Sequence, residues 1–134
     1  MTTTDKGTMK IEFDENNQPK VIFKPVNGDV WLWNFELVEL FGVYTQRINC
    51  AIDAVYKTKA YLPEETSEYH LYRSGNTIKY DKYRFNLQII IALAFNIDSW
   101  QAKLIREWFI KKILIGNSVI NYPITDITQD FERN

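Results

Sequence analysis

The sequence predicts a small α+β domain of winged-helix-like order: antiparallel strands, a helix-turn-helix, a β-hairpin wing and two C-terminal helices. Three observations predict it. Apolar and polar residues alternate over Met9–Phe13, and a short apolar run, Val21–Phe23, follows after a loop-forming segment. Helix-period apolar stripes stand on both sides of Gly42. Finally, Gly75-Asn76 lies between two alternating runs, the signature of a two-residue hairpin turn. At 134 residues with 46% hydrophobic composition, the chain has enough apolar surface for one packed core.

Taken in order, residues 1–8 read as a flexible N-terminus, 9–121 as the single domain and 122–134 as a polar C-terminal tail. The loop Glu15–Pro19 joins the first two strands, and Val30–Leu32 follows the turn residues Asn27-Gly28-Asp29 as a short third strand. From Asn34, read as an N-cap, the period changes. Leu37, Val38, Leu40 and Phe41 form one face while Glu36 and Glu39 point away. Gly42 ends that helix. Ile48, Ala51, Ile52 and Val55 then give a second helix its inward stripe, leaving Gln46, Arg47, Asn49, Cys50 and Asp53 outward.

Glu68–Arg73 and Thr77–Tyr80 form the predicted hairpin, with Leu71 opposite Tyr80. Glu64-Glu65 before it reads as a solvated loop. Asn86 caps an apolar helix over Leu87–Phe95. Asp98, with Gln101 three residues on, opens the last helix in a capping-box pattern, and Ile97 staples onto Ala102. Leu104, Ile105, Trp108 and Phe109 are its inward stripe, Lys111 and Lys112 suit its C-terminal end, and Gly116-Asn117 is the expected stop.

The spacing around Gly42 points to a helix-turn-helix over Asn34–Val55. Val38 stands four residues before the glycine and Ile48 six after it, the positions where one helix faces the other and where the second is anchored. The outward start of the second helix is then free to enter a major groove. On that reading Thr45, Gln46 and Asn49 meet base edges and Arg47 meets guanine or phosphate. The same spacing also fits an ordinary helical hairpin with a solvated face.

The formal net charge is −1, so no global field draws the chain to a polyanion. Residues 44–85 carry the positive excess, seven Lys or Arg against five acids, whereas residues 1–43 hold four Lys and seven acids. Arg73, Lys79 and Lys82 on the hairpin are therefore the expected phosphate contacts. Tyr69, Tyr72, Tyr80 and Tyr83 read first as cross-strand pairs, with stacking on single-stranded bases as the alternative.

Asp29–Leu32 followed by Glu39–Val43 resembles the N-terminal region of the RhuM family of virulence-associated bacterial proteins, in which a strand ending in VWL leads into a helix-turn-helix. Phe85-Asn86-Leu87 is similar to that family's YNLD segment, and Arg106–Trp108 to its FRxWA segment. The middle segment is also similar to phage antirepressor domains. The resemblance implies a DNA-associated regulator of transcription, of bacterial or mobile-element origin, with double-stranded DNA as partner and no catalytic residue. Tyr44 stands where the family carries a capping serine.

The remaining chemistry reads as sparse. One cysteine (Cys50) and one histidine (His70) supply no zinc spacing, disulfide or Cys–His nucleophile pair, and no glycine-rich phosphate loop is present. The expectation is a non-enzymatic cytoplasmic protein without metal or cofactor. The longest apolar run, Ile89–Phe95, is too short to span a bilayer. Ile110, on the side of Arg106 and Glu107, suggests a homodimer contact. The competing functional expectation is a protein-interaction module, antirepressor-like or accessory, whose degenerate helix-turn-helix binds no DNA.

Overall fold

A computed structural model of the chain describes residues 6–119, with side chains as far as residue 115. The expected tail at 122–134 and most of the expected flexible N-terminus lie outside the described residues. The fold is α+β, with two small antiparallel sheets and five helices among the described residues.

β1 (Thr8–Phe13) and β2 (Pro19–Lys24) pair as the alternation predicts, with Met9 opposite Phe23 and Ile11 opposite Val21. Their connection is fixed by Asp14, whose carboxylate accepts from the N–H groups of Asn16 and Gln18, both at 2.9 Å. Met9 is buried in the core. The third strand is displaced from the predicted Val30–Leu32: β3 is Leu32–Trp33 and belongs to the second sheet. Val30 is consumed as a fully buried plug, and the Trp31 N–H donates to the Lys6 carbonyl, so pairing begins only at Leu32.

α1 (Asn34–Phe41) buries Leu37, Leu40 and Phe41. Its cap is Trp33, not the expected Asn34. The Trp33 N–H donates to the Glu36 carboxylate at 2.9 Å, and pairing with Arg84 already holds Trp33 extended, which makes Asn34 the first helical residue. Gly42 takes φ 65°, and its N–H returns to the Val38 carbonyl at 2.9 Å, closing the helix as predicted. α2 (Thr45–Lys57) buries Ile48, Ala51, Ile52 and Val55, the stripe read from the sequence.

A one-turn helix, α3 (Pro63–Thr66), replaces the expected loop around Glu64-Glu65. Pro63 suits its first position, and the hydroxyls of Thr66 and Ser67 donate to the carbonyls of Leu62 and Pro63. β4 (Ser67–Ser74) and β5 (Thr77–Phe85) form the hairpin about Gly75-Asn76, with Leu71 opposite Tyr80 and a bulge at Glu68/Tyr69. The sheet order is β3-β5-β4, so the strand that enters α1 pairs with the strand that leaves the hairpin.

Asn86 caps α4 (Leu87–Ala94) by accepting from the Ile89 N–H at 3.3 Å. α5 (Trp100–Val119) is capped by Ser99 rather than Asp98. The Ser99 hydroxyl accepts from the Ala102 N–H at 3.1 Å and donates to the Phe41 carbonyl at 2.7 Å, a tertiary bond that Asp98 could not donate. Ala102 and Ile105 are buried, and Trp108 packs against Phe23 at 5.0 Å. The helix continues through Gly116-Asn117 to Val119, because a glycine costs about 1 kcal/mol inside a helix and does not by itself end one. No helix among the described residues is long and apolar enough to cross a membrane.

Candidate nucleic-acid interface

The residues predicted to meet DNA come from α2 and the β4–β5 hairpin. Tyr44 caps α2 through its backbone alone; its ring makes no capping bond and is 87% exposed. The outward period of α2 leaves Thr45 and Gln46 exposed, without a side-chain hydrogen-bond partner among the described residues. Asn49 is also exposed, but its Oδ1 accepts from Asn34 Nδ2 at 2.9 Å. One donor pair and one acceptor lone pair therefore remain on Asn49. Arg47 is half-buried and turns away from this trio. Its guanidinium donates to the Asn96 carbonyl at 3.0 Å, beside the connection between α4 and α5.

On the hairpin, Arg73 and Lys79 are exposed near the Gly75-Asn76 turn. Lys82 is held further back, its Nζ 4.9 Å from the Tyr56 ring centre and 5.9 Å from that of Tyr80. It lines a cleft of about 330 Å³ between α2 and β5, together with Asn34, Asn49, Asp53, Tyr80 and Asp81. Two carboxylates, Asp53 and Asp81, thus share this cleft with Lys82. The positive excess of residues 44–85 is interrupted there.

The hairpin tyrosines act mainly within the sheet. Tyr69 meets Tyr80 edge-on at 4.9 Å, and the Tyr80 hydroxyl donates to Glu64 at 3.0 Å, a bond that raises the Tyr80 phenol above its ordinary pKa. Tyr83 lies stacked between Trp33 at 5.4 Å and His70 at 4.9 Å, and Phe35 extends this row at 6.5 Å from Trp33. Arg84 covers Trp33 at 4.3 Å and reaches Glu68 at 3.4 Å, while Lys6 meets the same carboxylate at 2.9 Å. Sequence reading did not find this aromatic row. His70 and Tyr83 are not cross-strand partners in a regular ladder; the bulge at Glu68/Tyr69 offsets the register beside them.

Among the described residues no group of three His, Cys, Asp or Glu side chains could hold a metal ion. Cys50 is an exposed free thiol on α2. Compared with known proteins, the chain matches no family model, no curated protein and no solved structure.

Proposed function

We propose that the chain is a DNA-binding regulator of winged-helix-like design, in which α2 enters the major groove and the hairpin rests on phosphates. The observation that carries this reading is the bracketing of the helix pair by one sheet. β3 leads into α1, α2 follows the left-handed Gly42, and the hairpin returns through β5 to pair with β3. The exposed amides of Gln46 and Asn49 match the bidentate pattern of adenine, and Thr45 stands beside them. Arg73 and Lys79 supply phosphate contacts, with Lys82 behind them. The regulatory, mobile-element setting implied by the RhuM-like segments accompanies this reading.

Fluorescence anisotropy with a random duplex pool at low ionic strength tests it. Phosphate contacts from Arg73 and Lys79 give a slope of about −2 in log affinity against log salt, rising to about −3 where Lys82 also reaches a phosphate. Gln46→Ala with Asn49→Ala relaxes sequence preference by about 1–3 kcal/mol per lost contact while leaving the salt slope unchanged. Absence of salt-sensitive binding to any duplex sinks the reading.

A second reading, a protein-interaction module on the same face, is favoured by the 87% exposure of Tyr44 and by the engagement of Arg47 with Asn96. A stoichiometric host protein recovered without nucleic acid would select it. In either reading the half-exposed Ile110 and Ile113 on α5 offer a homodimer contact. Sedimentation showing monomer alone at high concentration removes that contact.

A further inference from the structure

A separate cleft of about 380 Å³ opens between β1 and α1, closed at one end by the first turn of α5. Thr8, Met9, Lys10 and Ile11 all line it, so residues of both alternations reach the same space. In a strand, consecutive side chains point to opposite faces; only the backbone edge fronts both. β2 contributes nothing to the lining and occupies the other edge of β1. Every second residue of β1 turns its N–H and C=O away from β2. Among the described residues, the β1 backbone makes no hydrogen bond outside its pairing with β2. The cleft is therefore an open strand edge facing a helix.

We infer that this cleft docks an extended peptide segment of a partner protein, which pairs with β1 as a third strand and carries a lysine or arginine toward α1. The accessible apolar part of the lining, Ile11 with the Phe13–Trp100 ring pair at 6.1 Å, takes the apolar side chains of such a segment, over a floor of the buried Met9 and Leu40. The charge selects a basic one. Glu39 and Glu36 line the wall, Glu36 with one oxygen already accepting from the Trp33 N–H, whereas Lys10, the one cation there, is paired with Glu12 at 3.0 Å. Residues 120–134 of this chain are a poorer occupant on the same ground, carrying three acids against one arginine. A second copy brings the same carboxylates to the same place.

The test is a random linear heptapeptide library panned against the full 134-residue chain, followed by exchange measurements on the best synthetic peptide. The expected winners alternate Lys or Arg with apolar residues. Such a peptide slows exchange at alternate β1 amides, and N-methylation at its own alternate residues abolishes binding. Glu39→Lys weakens it by roughly tenfold or more without moving the thermal midpoint, as expected when a charged hydrogen-bond partner is reversed. No enrichment, winners without a basic residue, or unchanged affinity of the N-methylated peptide each overturn the proposal. So do contacts to β1 from residues 120–134 or from a second copy in the free protein. None of these outcomes depends on whether the chain binds DNA.

Discussion

Asp29 connects two distant parts of the chain with a single oxygen. Its Oδ1 accepts from the Val30 N–H at 2.8 Å and from the Leu87 N–H at 2.9 Å, so a turn before β3 satisfies the first free donor of α4. The carboxylate also faces the positive end of that helix. Asp29→Ala is expected to lower stability by about 1–3 kcal/mol in chemical denaturation, and Asp29→Asn by less, because the acceptor survives. Tyr56 makes a different prediction. The Thr66 hydroxyl donates to the Leu62 carbonyl, so the 2.8 Å bond between Tyr56 and Thr66 has the phenol as donor. Burial pushes the Tyr56 phenol above its ordinary pKa of about 10. Its folded-state pKa is raised, so its contribution is complete below that ordinary value and is lost as pH rises through the folded one. Tyr56→Phe should cost about 1 kcal/mol at neutral pH and should flatten the fall in stability expected above about pH 10.

At the scale of elements, the turn between α1 and α2 is the most constrained. A Cβ on Gly42 would meet the Gln101 side chain, which can swing aside, but the φ of 65° remains. Gly42→Ala is expected to destabilise by about 1–2 kcal/mol, with Gly42→Asn milder, both read as shifts in thermal midpoint. The neighbouring cap can be improved. Because the Tyr44 ring makes no bond to α2, Tyr44→Ser should add about 1 kcal/mol of stability. These features were legible because they are local: a glycine spacing, the Ile48–Val55 stripe and the Leu71–Tyr80 register each follow from neighbours in sequence. What was not legible depends on partners far along the chain. Asp98 and Ser99 are equally good caps by composition, and the Phe41 carbonyl decides between them. Pro63–Thr66 is too short to show a period. Thr45, Gln46 and Asn49 could be placed outward from the helix period alone. The turn of Arg47 toward Asn96 could not, because that contact spans 49 positions.

For the whole molecule, the proposed DNA binding would have to bring a chain of net charge −1 onto a polyanion, and its charge layout gives a test of that proposal. The positive excess of residues 44–85 is divided by Asp53 and Asp81 in the cleft that Asn49 also lines. Asp53→Asn and Asp81→Asn are each expected to tighten duplex binding by about twofold at low salt, an effect that fades near 0.15 M as screening sets in. An interaction module would show no such gain. The same measurement at two salt concentrations therefore separates the readings without knowledge of the target sequence.

Ser99 gives the molecule a mechanical property. Its one hydroxyl serves the last turn of α1 and the first turn of α5, so the two helix ends are pinned at a shared pivot. From that pivot α5 extends over 20 residues, about 30 Å at 1.5 Å per residue. A lever of that length turns a rotation of a few degrees at the helix pair into a displacement of a couple of ångströms at Val119. If α2 seats on a target as proposed, that seating would reach the far end of α5 as motion, and Ser99→Ala, which removes the shared bond and leaves only packing between the two ends, would weaken the link.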